Sequence, residues 1–396
     1  MILLVSVAAA ADWPDWRGPE RDGISPETGL LAKWPAAGPP LAWTATGLGS
    51  GFASFSISNG MAFTQGQRDG RQYVIALDEA TGRKRWELAH GAAYGNNRGD
   101  GPRGTPTVDG DRVFALAADG SLICVNASDG RKIWATNLLQ RFGGSNIQWG
   151  LSETPLVDGD RLIVNAGARD ASIVALDKNN GNVIWKSQSD EAGYSSAVVS
   201  EAGGLRQYVL LTGEAAVGVS AENGELLWRY ERVANRTANV ATPIVQGDYV
   251  FVSSDYGTGG ALLKLSRQGN GMRADEVYFN REMRNHYSSS VLVGEHLYGY
   301  SSSILTAMKF ATGEVAWRDR SVGKGQVIFA EGRLYLFGEN GTAGLAEATP
   351  EGYREISRFP ITRTSNLPTW ALPAIAGGKL YLRDQGTLYC YNIRAR

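Results

Sequence analysis

The apolar residues of this chain come in short, nearly unbroken runs, such as "RVFALA", "RLIVNA", "YVFVSS" and "LYGYSS". Strict alternation would mark strands wet on one face; continuous runs of this length mark strands covered on both faces. The first three runs follow a "DGD" or "QGD" turn, and Asp-Gly pairs supply the positive φ that tight hairpins need. After a second turn comes a run of the type "xALD", then a Gly turn, then a run ending in Trp. One such unit predicts four short strands.

The unit recurs along the chain. "ALDEATGRKRW", "CVNASDGRKIW", "ALDKNNGNVIW", "GVSAENGELLW" and "AMKFATGEVAW" end at Trp86, Trp134, Trp185, Trp228 and Trp317. Gly82, Gly130, Gly181, Gly224 and Gly313 stand four residues before them. The first steps between tryptophans are 48, 51 and 43 residues. The next is 89, which spans one degenerate copy, "KLSRQGNGMRADEVYF", with Tyr278 or Phe279 near the expected Trp. Front halves such as "TPTVDGDRVFAL" begin at Thr105, Thr154 and Thr242, with looser versions at Ser289 and Leu372.

Four strands repeating every ~40–50 residues predict a β-propeller, in which blades stack face to face around an axis. The outer Trp then fills the gap to the neighbouring blade and its N–H finds a partner there, while the Gly permits the turn leading to it. Eight units begin near Phe52, Thr105, Thr154, Ser195, Thr242, Ser288, Gln326 and Leu372. The last stops after its third strand, without Gly turn or Trp. "PPLAWTATG", with Trp43, stands before the first unit with nothing of its own to pair with. Its strand is expected to complete the last blade and close the ring, which removes open edges. The expected fold is all-β: an eight-bladed propeller of four-stranded antiparallel blades over 40–396, preceded by a leader at 12–39.

Length agrees, because 396 residues exceed the roughly 250–300 at which a single core stops growing, whereas a repeat buries many small cores in series. Fifty Gly against fourteen Pro favours tight turns over disordered linkers. With 39 basic and 40 acidic residues there is no excess of positive charge to neutralise phosphates, which argues against nucleic acid as a partner. The start, "MILLVSVAAAADW", reads at 1–11 as the end of a signal peptide with a small-residue cleavage site, although its basic first region is missing. A periplasmic or secreted location is expected, with no transmembrane segment in the mature chain and a monomeric state. A disulfide between Cys124 and Cys390 is compatible with export, but two buried free thiols are expected. His90, His286 and His296 are scattered without a zinc spacing.

The repeat resembles the pyrroloquinoline quinone (PQQ) family, whose docking motif reads A-x-D-x-x-x-G-x-x-x-W. Ala76, Asp78, Gly82 and Trp86 match it, as do Ala175, Asp177, Gly181 and Trp185. The resemblance covers roughly Pro40 to Arg394. It implies the propeller fold but is weak for activity, since the family includes quinoprotein dehydrogenases that hold PQQ and Ca²⁺ as well as BamB-like scaffolds without a cofactor. The leader, "DWPDWRGPERDGISPETGLL", is similar to that of exported PQQ-like propellers of unassigned role.

A propeller hosts many functions, so function must be argued from a site. The segments entering the inner strands are polar and aromatic: "RGDGPRGTP", "NIQWGLSETP", "EAGYSSA", "RTANVATP", "MRNHYSSS", "GKGQV" and "NLPTWALP". Ring symmetry would bring them together in a central funnel. Against a flat ligand, Trp149 and Trp370 could stack, and Arg103, Arg284 and Lys324 could pair with carboxylates, with Tyr194 alongside. Glu153 with Asn239 could offer oxygens to Ca²⁺. Asp255 and His286 are the candidate bases, with Asp100 a further one. The dehydrogenases commonly carry adjacent cysteines over the quinone, and here the two cysteines are far apart. The expected function is a binding or scaffolding module for an unknown small molecule or protein at the funnel face. The alternative is a PQQ- and calcium-dependent alcohol or sugar dehydrogenase.

Overall fold

The computed structural model describes residues 12–269 and 271–395, so the expected export segment at 1–11 lies outside the described residues. Among these, the strands assemble into eight antiparallel sheets in a propeller. The first sheet runs outward as Ser56–Ser58, Met61–Arg68, Arg71–Asp78 and Lys84–Ala92. The other innermost strands are Thr107–Asp109, Leu156–Asp158, Val198–Ser200, Ile244–Gln246, Val291–Val293, Gly325–Ala330 and Ala374–Ala376. All eight fall within a few residues of the starts read from the repeat. The second and third strands of each blade are buried nearly throughout, which is why their apolar runs do not alternate.

The ring closes as expected. Leu41–Ala45 pairs with the C-terminal strand Thr387–Asn392, and Trp43 lies opposite Cys390. Three side chains of this composite eighth blade then converge on Glu79 of the first. The Trp43 indole N–H donates to its carbonyl at 3.1 Å. Its carboxylate takes the Lys379 ammonium at 2.7 Å and the Tyr381 hydroxyl at 2.6 Å. Arg383, fully buried, donates to the Ala53 and Gln65 carbonyls and to Thr64, all at 2.7–2.8 Å. Cys124 and Cys390 are both buried and free, which settles the cysteine question in favour of thiols.

The same docking repeats around the ring. The indole N–H groups of Trp86, Trp134, Trp185 and Trp317 donate to the carbonyls of Ala127, Lys178, Ala221 and Thr349 in the next blade. In the degenerate copy Tyr278 takes the Trp position, and its hydroxyl reaches the Phe310 carbonyl at 2.9 Å. The glycines do more than the turn assigned to them above. They have φ near +70°, and each also receives the ring of the preceding blade: a Cβ on Gly130 would stand 2.6 Å from Trp86, and one on Gly181 2.9 Å from Trp134. Trp228 is the exception. The blade after it has Ala274 where the others have Gly four residues before the aromatic, and the Trp228 N–H turns back to Gln207 of its own blade at 2.6 Å.

The seventh blade has no docking Trp, since Ser357 holds that register position opposite Leu345. The leader fills the vacancy. Trp34 donates its backbone N–H to the Ser357 hydroxyl at 3.1 Å and buries its ring against Tyr335 and Phe359. Upstream, the leader crosses the end of the channel to which the inner strands run. Trp13 bridges Ile57, and the Pro14 carbonyl accepts from Val108. Arg21 ion-pairs with Asp15 and reaches the Thr154 carbonyl. Arg17 donates to the Ser290 carbonyl at 2.8 Å, and Ile24–Ser25 adds a parallel strand to the seventh sheet. Those contacts reach blades one, two, three, six and seven.

Trp34, 2% exposed, fills the place of a blade tryptophan although it lies outside every repeat and its indole N–H, unlike theirs, has no partner among the described residues. Trp34→Ala is expected to cost about 3–5 kcal/mol, as for other buried aromatic truncations, read as a lowered urea midpoint. Gly130→Ala should cost at least about 1–2 kcal/mol, because its φ is left-handed and the new Cβ meets Trp86. A midpoint unchanged from wild type in either variant would contradict the docking scheme.

Candidate functional site

At the other end of the channel, where chain enters the inner strands, a cavity of about 860 Å³ opens to solvent. That is toward the upper end of the ~300–1,000 Å³ usual for small-molecule sites. The entry segments form its wall, as symmetry predicted, because every blade starts its inner strand at the same height. Of the residues singled out, Arg103, Trp149, Tyr194, His286, Lys324 and Trp370 line it.

Its wall is aromatic along most of one arc. Tyr256 and His286 lie 5.2 Å apart between ring centres, His286 and Tyr287 5.8 Å, Tyr287 and Trp370 5.4 Å, and Trp370 and Phe52 5.0 Å. Arg103 continues the arc, its guanidinium 5.3 Å from the Phe52 ring and held by the Gly99 and Gly101 carbonyls. On the opposite side Trp149 packs on Tyr194 at 5.7 Å, and the Tyr194 hydroxyl accepts from the Trp149 backbone N–H. Burial pushes the Tyr194 phenol up to about 12, so it stays protonated.

Four cations, Arg98, Arg103, Lys324 and Arg363, face one carboxylate, Glu339. Arg363 is neutralised by buried Asp384 at 3.1 Å. Lys324 lies 3.6 Å from Glu339, whose oxygen also takes the Trp370 N–H at 2.6 Å. Among the described residues neither Arg98 nor Arg103 forms an ion pair. The cavity is therefore positive in a chain whose formal net charge is −1. Burial and the Lys324 charge lower His286 to about 4, which favours a neutral imidazole, 3.0 Å from the Tyr256 hydroxyl.

Other residues singled out from sequence lie outside the lining. Asp255 accepts from the Ser302 hydroxyl at 2.9 Å. Arg284 uses its backbone to meet Ser301 and Ser302. The Asn239 carboxamide donates to the Thr212 and Gly213 carbonyls and accepts from the Asn235 N–H. Glu153 is buried beneath the wall, where its oxygen accepts from the Asn165 N–H. Burial raises its pKa to about 8, against the pull of Arg21. Sequence reasoning missed Trp16, which lines the cavity from the leader, and also Phe52, Glu339 and Arg363. No repeat position encodes the path that brings Trp16 there.

These residues can hold an anionic, ring-bearing molecule. They do not fit a calcium ion. Glu153 is buried beneath the wall and committed to the Asn165 N–H, Asn239 is spent on backbone, and Glu339 is engaged by Lys324 and Trp370. Among the described residues no cluster of three His, Cys, Asp or Glu could hold a metal.

A family model described as outer membrane protein assembly factor BamB matches residues 70–319. The chain belongs to this family of PQQ-like propellers. It is 24% identical over 255 residues to outer membrane protein assembly factor BamB of Yersinia pestis, covering 59% of this chain and 61% of that one. It is 23% identical over 184 residues to the same factor of Shewanella oneidensis, covering 44% of each. The chain thus spans less than two thirds of these relatives' length. Among solved structures it resembles BamB from Moraxella catarrhalis (TM-score 0.62, 14% identity, 87% of this chain and 95% of that one). It also resembles quinohemoprotein alcohol dehydrogenase from Comamonas testosteroni (TM-score 0.69, 13% identity, 97% and 81%). At such identities the likeness establishes the fold alone. Among the described residues no helix is long and apolar enough to cross a membrane.

The raised pKa of Glu153 carries a sign. Below the ordinary carboxylate range the acid is protonated in both folded and unfolded chains and costs nothing. As pH rises from about 4.5 toward 8 the unfolded chain ionises and the folded chain does not, so stability falls. Glu153→Gln keeps the acceptor oxygen and removes the titration. Its stability relative to wild type should rise between pH 5 and pH 8 by more than about 1 kcal/mol, measured as urea unfolding at both pH values. Parallel curves for the two proteins would show that the carboxyl is ionised in the fold.

Proposed function

We propose that this chain is a non-catalytic binding propeller working outside the cytoplasm, which holds a ligand or a partner's projecting group in the funnel. The observation that carries this reading is the cavity itself: aromatic on one arc, net positive, and floored by the chain's own leader. Membership in a family described as assembly factors supports a scaffolding role, and the apolar, Ala-rich start supports export.

The second reading, a quinone-dependent alcohol or sugar dehydrogenase, draws support from the cations and rings, which suit a carboxylated planar cofactor. It is the weaker of the two. Among the described residues the candidate calcium ligands do not assemble, and of the two candidate bases only His286 lines the cavity.

Two measurements decide. Purified protein given PQQ and Ca²⁺ should give no dye-linked oxidation across a panel of alcohols and sugars; turnover would defeat the binding reading. Hydrogen exchange with fractionated extracellular metabolites present should protect 94–103, 146–152 and 366–370, and Trp149→Ala with Trp370→Ala should abolish that protection. Protection confined to the outer strands would move the site off the funnel.

A further inference from the structure

We propose that the funnel is a blind receptor for the end of a short acidic saccharide, with the leader's Trp16 as part of its floor. This rests on the reading of the funnel as a binding site and names its ligand class. Four features of the cavity converge on it.

Charge comes first. Arg98 and Arg103 lack carboxylate partners among the described residues, and Lys324 shares Glu339 with Trp370. A carboxylate entering the cavity would meet Arg103, already held by the Gly99 and Gly101 carbonyls, and Lys324, held beside Glu339, which raises the strength of each contact.

The second feature is the attitude of the rings. Neighbouring rings along the wall are inclined by 34° for Tyr287–Trp370, 37° for Phe52–Trp370 and 43° for Trp149–Tyr194. They are packed on one another as a wall. A sugar ring needs only one aromatic face for its C–H surface, and its hydroxyls turn to the other sides.

Third, the remaining lining is rich in neutral groups that both donate and accept. Ser152, Ser196, Thr237, Asn340 and Asn366 are spread around the wall. They match hydroxyl groups, which also do both.

Fourth, the channel is closed below. The leader crosses it from Trp13 to Ser25 and is fixed by buried Arg17 and Arg21. A polymer cannot thread through, so a saccharide must enter by one end. Affinity should rise with ligand length until the cavity is filled and then level off.

The test uses the intact protein and calorimetry with named probes: trigalacturonate, its methyl ester, maltotriose, tri-aspartate and PQQ. Trigalacturonate should bind, its uncharged ester at least about tenfold more weakly, and added salt should weaken the acid but not the ester. Arg98→Gln with Lys324→Gln, both at the accessible wall, should reproduce the loss for the acid. Trp149→Ala should weaken both forms, with a circular dichroism spectrum unchanged from wild type. Equal binding of acid and ester, tighter binding of tri-aspartate or PQQ, or an unaffected Arg98→Gln/Lys324→Gln variant would overturn the proposal. If PQQ or tri-aspartate occupies the funnel while the saccharide does not, this inference falls and the binding reading stands. If no probe binds and extracts protect no funnel segment, both fall.

Discussion

The structure depends on one contact, an aromatic ring laid on a glycine of the next sheet with its polar hydrogen on that sheet's carbonyl. A blade of four short strands cannot bury two apolar faces alone, so its stability lies in the gaps between blades. The outer edge of each gap is where the wedge is widest, and a Trp is the largest side chain available to fill it. The glycine must lack a Cβ because the ring occupies that volume, and it must adopt positive φ because the turn requires it. Two constraints therefore act on one position. That is why the Gly persists from blade to blade while the sequence around it drifts.

The same contact explains what could be read in advance and what could not. Blade count, strand order and ring closure were legible because each follows from a local pattern repeated many times. Cys390 opposite Trp43 is the register that the repeat demands of the missing strand. The replacement of Trp by Tyr278 was half legible: an aromatic was expected, but only a hydroxyl reaching Phe310 distinguishes it from Phe279. Trp34 was not legible. It serves the seventh blade from more than 300 residues away in sequence, and nothing in its neighbourhood carries the motif.

The funnel divides along the same line. Symmetry foretold that the entry segments would meet, and six of the residues singled out do line one cavity. Symmetry cannot say which way a side chain turns. Glu153 and Asn239 both lie in segments entering inner strands, yet both turn to satisfy backbone groups, as buried polar residues commonly do. Trp16 enters because the leader has to bury Trp13, Arg17 and Arg21 somewhere, and the channel end is the one place where so many blades offer carbonyls at once.

That arrangement ties the architecture to its use. The leader supplies a buried tryptophan for a blade that lacks one, a strand for the seventh sheet and the floor beneath the cavity. The propeller and its pocket are thus one assembly: a ring without its leader would have a gap beside blade seven and a channel open at both ends. A through-channel suits passage, whereas a floored one holds what enters. The buried guanidinium groups of Arg17 and Arg21 donate to the Ser290 and Thr154 carbonyls of two blades as well as to carbonyls of the leader itself, which makes the floor costly to withdraw, because removing it would strand those carbonyls. The geometry therefore favours retention of a ligand over its transit, and this is the physical ground for reading the chain as a binder.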